Sequence, residues 1–390
     1  LRYRNIIDAN AVGPLTVELT TESPDSFTLS RLSAFFVYPS AHFQAVGLDE
    51  FIKDPVGSGP FQWADFTLGA SLELERAPGE HAFRKTYLDN IKVTLIQEPS
   101  TVVAALRTGS LDGGEINAPP ELVDQLRETD VEVIAVPGRL LAGLWNPVKE
   151  CEEGTALCDP RVRRALIISV DRVALADNIW RGLSEPVSQP GIPGSPGYDN
   201  SLPIVYDPEL AKQLLDDAGL TAGADGTRFS VEFLYWFKGP GEATLFAVQD
   251  MWREIGVDME LEFMEIGQWL RYYRRQDGLD QKQVMGILLQ DYFANNAAYL
   301  DRQSPTKTGA NVWYQNDKFY ELREQVGVEF DPGLRASAME LALREASEWE
   351  DAAFWYSLTV PSMWAVQDYL KGFRPESGTQ FTLSEAYRTR

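Results

Sequence analysis

The segment DPRVRRALIISVDRVALADNIWRG, residues 159–182, says more about the fold of this chain than any other stretch. Asp159 stands where a helix N-cap belongs, and Pro160 follows at the first helical position, where a missing N–H loses no hydrogen bond. Apolar residues then recur at three- and four-residue steps, which predicts a helix with one apolar face: Val162, Leu166, Val170, Val173, Ala176 and Trp180. The charged residues fall mainly off this face: Arg163, Arg164, Asp171, Arg172, Asp177 and Arg181. Gly182 is a typical end for such a helix.

A second helix of the same construction is predicted in YDPELAKQLLDDAGL, residues 206–220, with Asp207 as its cap and Gly219 as its end. Residues 186–203 are rich in proline and glycine, which indicates a loop between the two helices. Strand patterns alternate with helix patterns on both sides of this pair: VEVIAV (131–136), VEFLYW (231–236), VDMELEF (257–263) and VMGILL (284–289). This alternation predicts an α/β fold whose sheet is at least partly parallel.

The composition bounds the class of protein. At 390 residues the chain exceeds the usual size of one domain, so we expect two or more lobes. Its hydrophobic content of 44%, with 19 Phe, 15 Tyr and 10 Trp, is sufficient for well-packed cores. The 58 acidic against 35 basic residues give a net charge of −23, which argues against nucleic acid or an anionic membrane surface as a partner.

The two cysteines of the sequence, Cys151 and Cys158, stand close together in CEEGTALC. Six intervening residues can close a small loop outside the cytoplasm, so a disulfide and two free thiols are both open. The two histidines, His42 and His81, stand apart from both cysteines, and the spacing of a zinc site is absent. We therefore predict no metal site and no cofactor.

Enzyme motifs find little support in the sequence. Ser304 and Lys307 match S-x-x-K, but the same lysine would also open the K-T-G that ends at Gly309, inside a Pro/Gly loop. Asp112 and Glu115 in DGGE are the alternative of another class, a hydrolase with acidic catalysts. Among 58 acids such a pair arises by chance. We expect a binding protein and not an enzyme.

Candidate binding residues are aromatic and polar side chains at predicted strand ends, because a cleft needs flat aromatic walls and a few placed polar groups. They are Trp145, Asn146, Tyr235, Trp236, Gln290, Asp291, Tyr292, Asn311 and Trp313. Ordinary core packing is the alternative for each aromatic residue. Asp291 differs from the others because an acid that comes straight after an apolar strand pattern must be paired, must cap a turn or must be functional.

The order of these motifs resembles a known family. DPRVRRALIISVDR, the G-x-x-x-P turn at residues 182–186 and YDPELAKQLLDDAGL together are similar to the dipeptide/oligopeptide/nickel-type substrate-binding proteins of ABC transporters, solute-binding protein family 5. DPVGSGPF, residues 54–61, is similar to the GTGPY turn of the family, with Ser58 and Phe61 as departures. LLQDYFANNAAYL and GANVWYQNDKFYEL are similar to its later signatures. The resemblance runs from about residue 15 to the C-terminus.

The resemblance implies a fold and a division of the chain. The fold would be the α/β periplasmic-binding-protein type, class II-like, with two lobes of mixed sheets joined by a hinge. One lobe would comprise residues 51–146 and 361–390, and the other residues 147–360. Residues 1–50 would be the remnant of an N-terminal lobe segment, because family members begin earlier; we expect a fragment without its export signal.

The resemblance also implies a function. The protein would capture a di- or oligopeptide between its lobes, close on it, and deliver it to the permease subunits of an ABC importer, as a monomer in the periplasm or on the outer face of the cell membrane. Asp291 stands in a segment that resembles the A-D-Y of peptide-binding members, where the aspartate pairs with the α-ammonium of the ligand; a turn cap is the alternative. A nickel chelate, or a sugar stacked on Trp145, Trp236 or Trp313, is the second ligand hypothesis.

Overall fold

The computed structural model describes residues 5–32, 36–116, 118–191, 193–273, 283–290, 300, 316–347, 352, 354–375 and 381–389. The helices, in chain order, are α1 (Thr28–Leu32), α2 (Ser40–Lys53), α3 (Pro99–Arg107), α4 (Pro120–Arg127), α5 (Pro147–Glu153), α6 (Pro160–Ile168), α7 (Arg172–Asn178), α8 (Pro208–Asp217), α9 (Pro240–Glu254), α10 (Ile266–Tyr273), α11 (Asp317–Val328) and α12 (Pro332–Glu345), with a 3-10 turn at Ala156–Cys158. The strands are β1 (Ile6–Gly13), β2 (Thr16–Thr21), β3 (Phe61–Thr67), β4 (Ser71–Arg76), β5 (Asn90–Thr94), β6 (Gly113–Glu115), β7 (Val131–Trp145), β8 (Phe229–Tyr235), β9 (Val257–Phe263), β10 (Val284–Gln290), β11 (Phe354–Gln367), β12 (Leu370–Lys371), β13 (Arg374–Pro375), β14 (Phe381–Thr382) and β15 (Tyr387–Arg388).

The chain divides into two compact units. Unit 1 comprises Leu1–Arg31 and Pro137–Pro361, and unit 2 comprises Leu32–Val136 and Ser362–Arg390. Both long strands, β7 and β11, pass from one unit into the other. The family resemblance implies lobe boundaries near residues 146 and 360, and that division of the chain stays a prediction.

The main sheet of unit 1 is mixed. The strand order of the whole sheet is β6-β11-β7-β10-β8-β9, and β6 pairs with the carboxyl-terminal part of β11 inside unit 2. In unit 1, β8 is parallel to both β9 and β10, whereas β10 is antiparallel to β7. The carboxyl ends of the three parallel strands β8, β9 and β10 therefore point to the same edge of the sheet.

Helices cover both faces of this sheet, because alternate side chains of each strand point to opposite faces. On β7, Leu141 and Trp145 enter one core cluster, and Leu140, Ala142 and Leu144 enter a second one. The first cluster contains side chains of α6, α7, α8 and α9, and the second contains side chains of α11 and α12. The result is the layered α/β arrangement that the sequence pattern predicts.

Two neighbouring strands carry glycine where the rings of the first cluster lie against the sheet. A Cβ at Gly286 would lie 2.6 Å from Cε1 of Phe233, and a Cβ at Gly143 would lie 2.9 Å from Cε3 of Trp355. Gly286 and Gly143 are also register partners on β10 and β7. The missing side chains make room for the two aromatic rings.

The segment at residues 159–182 forms two helices rather than the single one expected. Asp159 caps α6, and its side chain accepts a hydrogen bond from the main-chain N–H of Arg161 at 2.8 Å. Asp171 then caps α7 by accepting from the N–H of Ala174 at 2.9 Å. The chain breaks between these helices because a second capping carboxylate begins a new helix there.

The apolar face of this segment is largely as predicted. Val162, Leu166, Val170, Ala176 and Trp180 are buried, whereas Val173 is 54% exposed. Two of the arginines that were placed off this face are also buried: Arg163 is 2% exposed and Arg172 is 0% exposed. Both side chains are buried by contacts with segments outside residues 159–182.

Each of these arginines is held by main-chain carbonyl groups. Arg163 donates from Nε to the carbonyl oxygen of Ala352 at 3.1 Å and from Nη1 to those of Leu157 and Cys158 at 2.7 and 2.8 Å. Arg172 donates from Nη1 to the carbonyl oxygens of Val187 and Tyr356 at 2.8 and 3.2 Å. These bonds connect α6 and α7 to segments far away in sequence.

A disulfide joins Cys151 on α5 to Cys158 in the 3-10 turn, with their Cα atoms 4.6 Å apart. Of the two alternatives that the sequence leaves open, the structure has the bonded one. The bridge closes the loop whose carbonyl oxygens accept from Arg163.

Unit 2 has smaller sheets. Strands β3, β4 and β5 form an antiparallel three-stranded sheet, and two-stranded pairs form between β12 and β15 and between β13 and β14. Helices α3 and α4 bury an apolar side of Val102, Val103, Leu106, Val123 and Leu126. Ile116 donates its main-chain N–H to the carbonyl oxygen of Met363 at 2.8 Å, beside the pairing of β6 with β11.

Candidate functional site

The carboxyl edge of the unit 1 sheet, where β8, β9 and β10 end, brings several predicted residues together. Tyr235 ends β8 and is the register partner of Phe263, which ends β9. Their rings meet edge to face with centroids 5.7 Å apart. In open α/β sheets ligands bind outside the carboxyl ends of the strands. This edge is therefore the candidate solute site.

At this edge β10 extends beyond the end of its pairing with β8, and we call this offset the step. The pairing of β10 with β8 covers only Val284 and Met285, whereas its pairing with β7 continues to Gln290, opposite Arg139. From Gly286 onward the main chain of β10 has no paired strand on the β8 side among the described strands. An extended peptide can add to a sheet through the main-chain groups of an unpaired strand edge.

A polar group lies at the base of the step. The hydroxyl of Tyr235 donates to Oε1 of Glu242 at 2.8 Å, and Nζ of Lys238 donates to the same oxygen at 2.6 Å. Glu242 stands in the first turn of α9, which begins directly after Gly239, where φ is 69°. The Lys238 ammonium lies 3.6 Å from the ring centroid of Phe263. A solvent-facing cation is thus held over an aromatic ring.

The protonation state of Tyr235 follows from this surrounding. Burial of the phenol, and then its hydrogen bond to Glu242, raise the pKa of Tyr235 to about 12. Both causes disfavour the phenolate, the first through desolvation and the second through the neighbouring negative charge. Tyr235 is therefore a neutral hydrogen-bond donor at physiological pH.

Trp236, the residue after the end of β8, packs against the first core cluster and against a smaller one. Its ring lies 6.4 Å from that of Trp269, which in turn stacks on Tyr273 at 5.0 Å and 13°. These rings pack on a small core cluster of Leu234, Met264, Trp269 and Met285. The Nε1 of Trp236 is buried without a hydrogen-bond partner in the described part of the chain. Trp236 therefore lines the apolar side of the edge.

Trp145 and Asn146 lie at the opposite end of the sheet, because β7 is antiparallel to its neighbour. Trp145 is the register partner of Val284, the first residue of β10. Its ring is 0% exposed and stacks on Trp252 with centroids 6.2 Å apart. Asn146 caps α5 by accepting from the N–H of Lys149 at 3.4 Å. This position favours core packing for Trp145 and capping for Asn146.

The remaining predicted residues cannot be placed in this way. Asp291, Tyr292, Asn311 and Trp313 lie outside the described residues, and Gln290 is described only through its main-chain pairing with Arg139. Their proposed contacts with a solute stay predictions.

The acidic pair considered as a hydrolase site lies in unit 2. Asp112 accepts from the hydroxyl of Tyr369 at 2.8 Å, and its Oδ1 is 3.4 Å from Nη2 of Arg388. Glu115 stands in β6 opposite Trp364. The ion pair and the hydrogen bond account for Asp112 as a structural residue.

Sequence reasoning missed four residues of the carboxyl edge: Arg139, Lys238, Glu242 and Phe263. The four-residue spacing of Lys238 and Glu242 at a helix start is a local signal for an ion pair. Arg139 carried no such signal, because its position depends on the register of β7 against β10. Only the assembled sheet brings it to this edge.

Within the described part of the chain, no helix is long and apolar enough to cross a membrane. Among the same residues, no group of three or more His, Cys, Asp and Glu side chains gathers where it could hold a metal ion.

Comparison with known proteins identifies relatives along most of the chain. The dipeptide-binding protein of Escherichia coli (strain K12) is 23% identical over 288 residues, which cover 72% of this chain and 52% of that protein. The glutathione-binding protein GsiB of Salmonella paratyphi A (strain ATCC 9150 / SARB42) is 26% identical over 273 residues, 68% of this chain and 51% of the relative. The chain spans about half the length of the curated relatives it matches.

A solved structure with the same fold is that of NikA from Brucella suis in complex with Fe(III)-EDTA. Its TM-score is 0.84 at 20% identity, and the match covers 100% of this chain and 80% of that one. The likeness confirms the predicted α/β fold class of the periplasmic-binding type.

The family model of bacterial extracellular solute-binding proteins, family 5 Middle, matches residues 2–304. Its proteins bind solutes and are not enzymes, so the hydrolase hypothesis on Asp112 and Glu115 falls. Because the match covers well over half of the sequence, this chain belongs to the bacterial extracellular solute-binding proteins, family 5.

Proposed function

We propose that this protein is the solute-binding component of an ABC importer and that it binds its solute at the carboxyl edge of the unit 1 sheet. The observation that carries the proposal is the stepped end of the sheet, where β10 extends past β8 with an open main-chain edge. An aromatic and charged group of Tyr235, Lys238 and Phe263 stands at its base. A rigid sheet that ends in rings and a few polar groups is the usual construction of a solute site.

A di- or oligopeptide is the solute that these features favour. Extended peptides add to open strand edges through main-chain hydrogen bonds, and β10 offers such an edge from Gly286 onward. The Lys238 ammonium, which donates one hydrogen bond to Glu242, has further N–H groups to donate. The family relatives named for dipeptide and glutathione binding agree with this class of solute. Asp291, which follows Gln290 in sequence, remains our proposal for the partner of the α-ammonium group.

A metal chelate is the second candidate, because a structure of the same fold holds Fe(III)-EDTA. A sugar has less support, since Trp145, one of its three proposed stacking residues, is fully buried. An ABC permease as partner, a monomeric state and a location in the periplasm or on the outer face of the membrane belong to the same proposal.

Native mass spectrometry of the gently purified protein, before and after denaturation and refolding, tests the proposal. We expect a ladder of peptide masses that refolding removes, followed by thermal stabilisation on adding dialanine, trialanine or glutathione. A solute at 100 times its Kd stabilises the folded state by about 2.7 kcal/mol. Nickel–histidine and maltotriose complete the panel and report the two other solute classes.

A matched pair of variants locates the site. Lys238→Met removes an ammonium at the carboxyl edge, and Lys212→Met removes one on α8 that is likewise paired with a nearby glutamate, Glu209. We expect roughly tenfold weaker peptide binding in the first variant only. Equal affinities in both variants would exclude the base of the step as the site, and the absence of any bound or stabilising solute would contradict the proposed function.

A further inference from the structure

We infer that Arg139 recognises an anionic group of the solute, and that this group is a carboxylate. The inference rests on the proposed function and names a chemical requirement of the same site. It concerns one side chain at the carboxyl edge whose buried Nε has no hydrogen-bond partner in the described part of the chain.

The position of Arg139 follows from the register of the sheet. Arg139 is the partner of Gln290, at the far end of the step. Leu141 and Trp145, two and six residues further along β7, enter the first core cluster together with Tyr235. Because side chains alternate along a strand, Arg139 lies on the same face of the sheet as Tyr235.

Distance along the sheet separates Arg139 from the polar group at the base of the step. Gly143 on β7 pairs with Gly286 on β10. Gly286 follows Met285, the partner of Leu234 on β8, so the same row across the sheet reaches Tyr235. Arg139 is four residues beyond that row, roughly 14 Å at the rise of a β-strand. Glu242, at the base of the step, is already held by Tyr235 and Lys238.

Arg139 differs in its hydrogen bonding from the better-held arginines of unit 1; the Nε of Arg172 also lacks a partner in the described part of the chain, but its Nη1 donates to two carbonyl oxygens. Its Nε is buried, and it has no hydrogen-bond partner in the described part of the chain. By contrast, Arg163 donates to three carbonyl oxygens, and Arg228 lies against Asp216 and the carbonyl oxygen of Leu220. In a chain with 58 acidic and 35 basic residues, a half-buried arginine that has no carboxylate partner among the described residues is out of place.

A ligand carboxylate would complete this arrangement. A buried donor without an acceptor destabilises the folded state, and the bond is recovered when an acceptor arrives. The planar guanidinium matches a carboxylate with two parallel N–H···O bonds, which a lysine at the same position could not make. The hydrogen bond that Arg139 lacks in the free protein forms when the solute binds, and it therefore strengthens the binding of an anionic solute.

The test compares alanine peptides of three to five residues as free acids and as C-terminal amides, measured by calorimetry on the full chain. We expect the wild-type protein to bind the acids roughly 10- to 100-fold more tightly than the amides. Arg139→Gln should remove this preference by weakening the acids and leaving the amides unchanged, and Arg139→Lys should restore only part of it. Arg253→Gln, which removes an exposed arginine paired with Asp250 on α9, is the control and should keep the full preference.

A second readout separates recognition from a structural role. Without solute, Arg139→Gln should melt at the same temperature as the wild-type protein or higher, because the residue it replaces makes no described hydrogen bond. A clear fall in the melting temperature relative to Arg253→Gln would show a structural role and overturn the inference.

The remaining outcomes are also decisive. Equal binding of acids and amides by the wild-type protein, or an unchanged preference in Arg139→Gln, would overturn the inference and leave the proposed function standing. If the wild-type protein binds neither series, the peptide assignment and the inference fail together. Should Asp291→Asn change the acid preference as much as Arg139→Gln does while also lowering the melting temperature, an internal partner would replace the solute and the inference would fall.

Discussion

Two arginines of unit 1 lie in opposite situations. Arg163 is buried at the start of α6, and its guanidinium donates to carbonyl oxygens of Leu157, Cys158 and Ala352. Arg139 lies at the carboxyl edge of the sheet with a buried Nε that has no partner in the described part of the chain. In the first region, the hydrogen bonds of one arginine connect segments that are distant in sequence. The second retains an unmet hydrogen bond where we propose that the solute binds.

The difference shows how one fold separates stability from binding. The guanidinium of Arg163 in the interior is held by main-chain acceptors, which makes this position costly to alter. At the carboxyl edge the polar groups are only partly satisfied, and a solute that completes them stabilises the bound state. Variants in the two regions should therefore differ in what they change, stability in the first and solute affinity in the second.

The largest effect is expected from Arg163→Met. This substitution leaves three buried carbonyl oxygens without their donor, and we expect a loss of about 3–5 kcal/mol in the free energy of unfolding, measured in urea. Arg253→Met is the control, since its side chain is 57% exposed and should change stability by about 0.5 kcal/mol or less. A loss below about 1 kcal/mol for Arg163→Met would remove the contrast between the two regions.

An intermediate effect is expected from Gly286→Ala, on the row where the step begins. The new Cβ would lie 2.6 Å from Cε1 of Phe233, so we expect overpacking to cost about 1–3 kcal/mol in thermal or urea unfolding. Gly267→Ala on α10 is the control, because nothing lies within 4 Å of its added Cβ. Alanine favours a helix over glycine, and this second variant should gain up to about 1 kcal/mol. Equal stabilities of the two variants would contradict tight packing beneath the step.

The smallest effect is expected from Tyr235→Phe, which removes one hydrogen bond to Glu242 and leaves the ion pair with Lys238. We expect a loss of about 1 kcal/mol at neutral pH. The folded-state pKa of Tyr235, about 12, is raised above the ordinary value of 10. Its contribution to stability is therefore complete below about pH 10 and is lost as the pH rises through 12.

Ultraviolet titration of the phenolate absorbance checks this prediction. The pKa values of Tyr320 and Tyr369 are also raised by burial, so the wild-type protein should show one more late-titrating tyrosine than Tyr235→Phe, and its stability relative to the variant should fall between pH 10 and 12. Tyr206→Phe is the control, because Tyr206 is 48% exposed. If Tyr235→Phe loses absorbance near pH 10 and keeps the late part of the curve, the pKa of Tyr235 is not raised and the prediction is wrong.

The fold was predictable where the signal is local. The Asp-Pro starts of α6, α8 and α12 are visible in the sequence, and the carboxylates of Asp159, Asp207 and Asp331 accept main-chain hydrogen bonds as N-caps do. The alternating pattern of residues 257–263 predicts β9 without error. In each case the sequence signal and the structural feature that it predicts lie within a few residues of each other.

The candidate site was predictable only in part. Tyr235 and Trp236 were identified from their place at a strand end, and both lie at the carboxyl edge. Trp145 and Asn146 come from an equally good strand end, yet β7 is antiparallel to β10, which places them at the opposite end. Strand direction is a long-range property, and hydrophobic patterns do not report it.

The sequence by itself therefore determined the family, the α/β class and the positions of the capped helices, because short-range patterns specify caps, turns and periodicity. The tertiary structure alone decided the break between α6 and α7, the burial of Arg163 and Arg172, and the place of Arg139 beside Gln290. Whether a charged side chain is satisfied, buried or left open depends on which distant carbonyl groups and strands meet it. That information exists only after the sheet has paired.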